Sequence, residues 1–271
     1  MNKIDIIYHY TTVRNSINII QSGKLWACDS RYLNDANELV MATKLFGNMI
    51  KDKYRINIDH VLYLNNSTRS YCVSCFSESP KILSQWRSYA NDGRGLCLGF
   101  SKSFFEHGRS GQYQAKLVKC VYDNHPGFID HLIENNADDI DNILSLAKDM
   151  MVEENIDCEK NRRSLDNVYI ELLRIKNKNF SEEMESRFIV CVPTIETKKL
   201  VNNEVIIPYI EHSIFSDEND IKSMWCAIPQ IWLGPKCDKR NEDAIKSFMQ
   251  LGWLLNSEHG FGTYKFDCGY R

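Results

Sequence analysis

The stretch that most restricts how this chain can fold is its N-terminal run of residues 4–12, Ile-Asp-Ile-Ile-Tyr-His-Tyr-Thr-Thr. Read as a strand, it puts Ile4, Ile6, Tyr8 and Tyr10 on one face and Asp5, Ile7, His9 and Thr11 on the other. Thr12 is placed to cap a helix whose Val13, Ile17 and Ile20 recur at i, i+4 and i+7, and Gly23 is placed to end it. His9 then sits where a buried strand emerges into a polar turn, a platform suited to holding a ligand at a strand end. A hydrogen bond from His9 to a neighbouring carbonyl would explain the same residue, and the stretch alone leaves both readings open.

Further along, the pattern predicts strands over 25–29, 70–77, 96–100, 115–122, 180–192 and 231–235, and a last one within 262–271. Pro193, which cannot donate to a ladder, is placed to close the strand over 180–192. Helices are predicted over 36–54, with Asp35 and Glu38 as a capping pair, over 82–90 with Ser79-Pro80 as its start, and over 220–227 and 241–251. Residues 55–69 read as connector with at most a short helix. Residues 125–178 are helical in period, acidic first and basic later, and read as a helical insertion or lid whose charges form solvated faces. The expected fold class is α+β, a single domain over 1–271 with that segment inserted.

Composition narrows the function classes. Lys+Arg 33 against Asp+Glu 36 gives a net charge of -3, so the chain has no overall basic footprint for non-specific nucleic-acid binding. No apolar run is long enough to span a membrane and no leader pattern opens the chain, so a soluble cytoplasmic protein is expected. The 10 cysteines are scattered and are expected as reduced thiols. Cys72 and Cys75 form the one C-x-x-C, in a predicted strand that sends them to opposite faces, so no metal site is expected. Dinucleotide-binding, P-loop, nucleophile-elbow and zinc-protease motifs are absent.

Two groups of residues carry chemistry. Glu183, Glu185 and Arg187 recur at spacing two in the strand predicted over 180–192, which places the carboxylates about 7 Å apart on one face. Two such charges raise each other's pKa and Arg187 opposes this, although a plain charge ladder has the same spacing. Trp86 and Tyr89, three apart, meet on one side of a helix, either as core or as an aromatic wall.

Tyr8-His9-Tyr10-Thr11, Tyr32-Leu33-Asn34-Asp35, Cys75-Phe76-Ser77-Glu78, Trp86-Arg87-Ser88-Tyr89-Ala90, Glu183-Met184-Glu185-Ser186-Arg187 and Ile231-Trp232-Leu233-Gly234-Pro235 occur in an order that resembles the bacterial domain-of-unknown-function family twenty-nine seventy-one. The likeness covers most of the chain except 125–178. More distantly the chain is similar to the ADP-ribosyltransferase superfamily, including the toxin branch that modifies nucleic acid. That resemblance implies two small mixed or antiparallel sheets flanked by helices, NAD as substrate and a macromolecular acceptor, protein or nucleic acid. It also implies the role of an intracellular toxin or anti-phage defence effector, while no membrane partner is expected because no apolar run is long enough to span a bilayer. It makes His9 the ribose contact, with Tyr10 and Thr11 shaping the adenosine side and Trp86 or Tyr89 packing on nicotinamide. Glu185, or failing that Glu183, becomes the catalytic acid, and Arg187 binds a phosphate of the dinucleotide or holds a Glu ionised. Two other classes stay open: a binding module without turnover, and a transferase acting on RNA ends with His9, Arg87, Arg94 and Arg187 on phosphates.

Overall fold

The opening of the chain folds as its residues dictate. In the computed structural model β1 (Ile6–Thr11) leads into α1 (Val13–Ser22), with Thr12 Oγ1 accepting from the Asn15 amide at 3.1 Å. Gly23 ends the helix in a left-handed conformation, φ 64, and donates to the Ile19 carbonyl. The structure describes residues 5–34, 36–105, 109–110, 112–150, 158–202, 204–214, 227–255 and 262–270. Asp35 of the capping pair, most of the helix predicted over 220–227, and the side chains of Phe248, Met249 and Leu251 lie outside the described residues.

After β2 (Lys24–Asp29) come α2 (Ala36–Tyr54), α3 (Asp59–Thr68), β3 (Arg69–Ser77), α4 (Leu83–Ser88) and β4 (Leu96–Ser101). Then follow β5 (Arg109–Ser110), β6 (Tyr113–Lys119), α5 (His125–Asn135), α6 (Ala137–Asp149), α7 (Cys158–Leu172) and β7 (Glu185–Pro193). The chain finishes with β8 (Lys198–Asn202), β9 (Val205–Ser213), β10 (Gln230–Leu233), α8 (Lys239–Leu255) and β11 (Gly262–Lys265).

The fold is α+β, but the strands join one branched sheet rather than two small ones. The path β11-β10-β4-β1-β3-β2-β9-β8 runs through it, with β7, β6 and β5 branching from β3. The reason lies in β3, whose nine residues all pair with β7 on one side. On the other side it is shared, with β2 at Cys72 and Val73 and with β1 at Ser77. Among the described strands all pairings are antiparallel except β10 with β11, and outside them Val121 and Ile175 form a single parallel bridge.

Alternation along β3 feeds two cores. Cys72 and Phe76 enter the one completed by Ile19 and Ile20 of α1 and Ile245 of α8. Tyr71 and Val73, with Cys75 packed beside them, enter the other, covered by α2, α3, α5, α6 and α7. Cys72 and Cys75 therefore do face opposite ways. Residues 125–178 supply Ile129, Ile140, Leu165 and Tyr169 to this second core, so the segment packs over a sheet face.

Several predicted boundaries move. The connector over 55–69 contains α3, whose Asn57 side chain accepts from the Asp59 amide and whose polar Asn65 to Thr68 end dilutes the apolar signal. Ser79 and Pro80 precede α4 instead of opening it: the helix starts after Ile82, and Pro80 uses its carbonyl to accept from Trp86 Nε1 at 2.9 Å. Residues 178–183 form a 3-10 turn with Asn177 as its cap, and Met184 then turns left-handed, φ 44. The strand predicted over 180–192 therefore begins only at Glu185, and Pro193 closes it.

Candidate active site

Because β1 and β2 meet β3 at different heights, the β3 edge around Cys75 lies between the two pairings. His9 fills that gap, its Nδ1 2.9 Å from the Cys75 carbonyl. A carbonyl accepts only, so Nδ1 carries the hydrogen, leaving Nε2 as the acceptor. Burial pushes the imidazole pKa down, partly offset by that carbonyl, so the ring is neutral. His9 also borders two cavities. One, about 330 Å³, is lined by Tyr8, His9, Tyr10, Asn34, Tyr89, Lys176, Phe180, Glu183 and Glu185 among others. The second, about 580 Å³, lies along α1 and β2 and is lined by Thr11, Asn15, Asn18, Gln21, Lys24, Trp26 and Glu211 besides His9.

The floor of the first cavity is an ion cluster. Glu185, 6% exposed, is the first residue of β7, held by its amide donating to Tyr122 Oη at 2.7 Å and its carbonyl accepting from the Cys120 amide. Its Oε1 accepts from Arg187 Nε at 3.0 Å, and its Oε2 meets the Lys176 ammonium. Lys176 Nζ also lies 2.5 Å from Glu183 Oε2. Burial alone would raise the Glu185 pKa, but Arg187 and Lys176 outweigh it and hold the carboxyl at about 2. Burial likewise works against the Lys176 charge, and the two carboxylates overcome it and raise its pKa. Glu185 is thus an ionised carboxylate, which accepts from Arg187 at both oxygens, from Lys176 and from the Cys75 side chain.

The predicted site residues divide. His9, Tyr10, Tyr89, Glu183 and Glu185 come together at the first cavity, while Thr11 faces the second. Trp86 is a correction: it is wholly buried between Tyr10, ring centroids 5.0 Å apart, and Phe266 at 6.1 Å, so it lies in the core and lines neither cavity. Tyr89, 42% exposed, is the wall residue of that pair. Arg187 is 2% exposed, with Nη1 on the Leu173 carbonyl at 2.8 Å, so it holds Glu185 from behind and reaches no phosphate in the cavity. Glu183 is on the 3-10 turn, not on the strand, and it is Lys176 that draws it to Glu185. Arg87 and Arg94, which an RNA-end transferase would also use, line neither of these two cavities.

Sequence reasoning missed Lys176. It leaves the α7 region on a bridge between Val121 and Ile175, with its own amide donating to the Val121 carbonyl at 3.0 Å. No periodicity marks it, and only its place near a Glu-rich segment could have drawn notice. Tyr8, also a cavity residue, was visible as the partner of Tyr10 on its strand face; burial, with Cys97 and Tyr264 nearby, pushes its pKa up to about 12. Among the described residues no group of three or more His, Cys, Asp or Glu side chains is placed to hold a metal ion, and no helix is long and apolar enough to cross a membrane.

The arrangement can bind an uncharged or cationic ring among Tyr8, Tyr10, Tyr89 and Phe180. It can also offer an ionised carboxylate to a hydroxyl or to a developing positive charge. No curated protein and no solved structure matches the chain. A family described as protein of unknown function (DUF2971) matches residues 85–188. That span takes in the Trp86 to Ala90 and Glu183 to Arg187 landmarks and also residues 125–178, which were expected to fall outside the likeness; it does not reach His9. Over residues 85–188 the chain is therefore similar to a family whose own function is undescribed.

Proposed function

We propose that this protein is an NAD-consuming ADP-ribosyltransferase. The observation that carries the reading is the meeting of His9, from the first strand, with the ionised Glu185, from a late one, in a single aromatic-walled cavity. Nicotinamide would lie against Tyr89 and the tyrosines of β1, its ribose between His9 and Glu185. The adenosine half would extend past His9 into the second cavity, where Thr11 sits. Each cavity is within the size range of ordinary ligand sites.

Glu185 accepts a hydrogen bond from the ribose 2′-hydroxyl, a contact that strengthens as the anomeric carbon becomes oxocarbenium-like. The C1′–N bond breaks with its electron pair staying on nicotinamide, which leaves neutral. C1′ bonds to the acceptor's oxygen or nitrogen, and the acceptor's proton passes to Glu183 and on to water. Arg187 and Lys176 keep Glu185 charged throughout.

Purified wild type and Glu185→Gln are incubated with NAD and nicotinamide is followed by chromatography. Release by wild type, lowered at least about a hundredfold in the variant, is the expected result; equal release by both refutes the assignment. The ion pairs already on Glu185 favour a second reading, a nucleotide-binding module in which that carboxylate is structural. Thermal stabilisation of wild type by NAD with no nicotinamide released would select it.

A further inference from the structure

One buried polar side chain of the first cavity has no part in the proposed bond cleavage. Gln85 of α4 is 9% exposed and lines that cavity, and its carboxamide makes no hydrogen bond among the described residues. Burying an amide without a partner is unfavourable unless a ligand or water meets it there. Its direction is fixed from both sides. Tyr10 Oη donates to the Ser79 carbonyl at 2.8 Å and accepts from the Ile82 amide at 3.2 Å, which ties the start of α4 to β1. Trp86 is turned into the core with Nε1 on the Pro80 carbonyl at 2.9 Å, so the neighbouring Gln85 is left to the cavity. Tyr89, one turn on, donates its amide to the Gln85 carbonyl at 2.9 Å and brings its side chain to the same cavity, with Asn34 bonded to its hydroxyl.

An aromatic wall and an unpaired amide one helical turn apart, roughly 6 Å between their Cβ atoms, restrict the ligand that satisfies both. A glutamine amide presents a carbonyl acceptor and NH2 donors in one plane, and its most complete partner is a planar group that also offers a donor and an acceptor side by side. A primary carboxamide on an aromatic ring does so while the ring packs on Tyr89. A carboxylate in its place leaves the Gln85 carbonyl without a donor and adds a third negative charge to a cavity that holds Glu183 and Glu185, whose shared cation Lys176 already pairs with both. A bare ring leaves the whole amide unpaired.

We propose that Gln85 is a specificity-determining residue, which reads a primary carboxamide on a planar ring held against Tyr89 and rejects the corresponding carboxylate. That the ring is the nicotinamide of NAD rests on the transferase reading above. Gln85 then touches only the leaving group, away from the bond that breaks, and sets which dinucleotide is accepted rather than how the bond is cleaved.

The test is a ligand-observed NMR titration of the full chain, without NAD, with nicotinamide, nicotinic acid and pyridine in turn. Wild type is expected to bind nicotinamide about tenfold or more tightly than either of the others. Gln85→Leu and Gln85→Met keep the bulk and remove the amide; in both, the preference for nicotinamide over pyridine should fall to about twofold or less while pyridine binding stays within about twofold of wild type, a pattern that a merely structural role would not give. Equal affinity of wild type for nicotinamide and nicotinic acid, no binding of nicotinamide, or a preference that survives in both variants overturns the proposal. So does the unfolding of both variants in melting curves, which would make Gln85 a residue of the fold, and so does adenosine displacing nicotinamide from wild type but not from Gln85→Met, which would assign the amide to a base edge. Nicotinamide released from NAD equally by wild type and both variants keeps the transferase reading and overturns the role of Gln85. Selectivity that depends on Gln85, with no nicotinamide released from NAD by wild type, supports the carboxamide site and refutes the transferase reading instead.

Discussion

Glu185→Gln keeps the volume of the side chain and removes its charge, which makes the ion cluster measurable. In the folded protein burial opposes ionisation of Glu185, but Arg187 and Lys176 prevail and lower its pKa from 4.5 to about 2. That difference of about 2.5 units corresponds to about 3 kcal/mol of stability linked to the charged form. Since the folded value is the lower one, the contribution is complete above the unfolded value, near 4.5, and disappears as pH falls towards 2. At about pH 3 roughly 2 kcal/mol of it is already lost. Urea unfolding at pH 7 should find the variant less stable by about 3 kcal/mol or more, because Arg187 and Lys176 lose a buried partner. The gap should shrink by about 2 kcal/mol near pH 3, with equal denaturant slopes in the two proteins. A gap that does not change with pH, or a variant as stable as wild type at pH 7, would falsify the assignment of Glu185 as a buried, cation-held carboxylate.

Lys176→Met leaves two carboxylates facing each other without their shared cation; we expect a loss of about 3–5 kcal/mol in chemical unfolding and an upward move of the acidic limb of any NAD turnover profile. Trp86→Ala should cost about 3–5 kcal/mol as a core cavity, whereas Tyr89→Ala should change stability by about 0.5 kcal/mol or less while weakening NAD-induced thermal stabilisation; equal melting temperatures for the two variants would contradict their placement. His9 is held neutral by burial, its folded pKa below 6.5, so it weakens the fold as pH drops through that value. His9→Gln should therefore be less acid-sensitive than wild type in melting scans from pH 8 to pH 5, and parallel curves would count against the buried neutral ring.

How much of this was legible depended on whether the signal was local. The β1 to α1 corner was read to the residue because both signals are adjacent in sequence: Thr12 caps through its own hydroxyl and Gly23 supplies the left-handed stop. His9 satisfied both of its readings, binding the Cys75 carbonyl and lining a cavity, since the splayed β3 edge demands a donor at the place where the ligand space opens. Trp86 and Tyr89 could not be told apart, because helical spacing gives direction but not depth. Only the distant Phe266 and Tyr10 decide that Trp86 is enclosed. The acidic pair shows the limit most sharply. Alternation through 180–192 placed Glu183 and Glu185 side by side, yet Met184 at φ 44 breaks the alternation that the inference used. A left-handed non-glycine residue has no reliable signature in sequence. The carboxylates meet all the same, because Lys176 binds both, and Lys176 is delivered by a bridge to Val121 more than fifty residues earlier in the chain. Proximity that an ammonium imposes through a long-range contact cannot be read from spacing, so the charge state of Glu185, on which the proposed chemistry turns, became visible only with the fold.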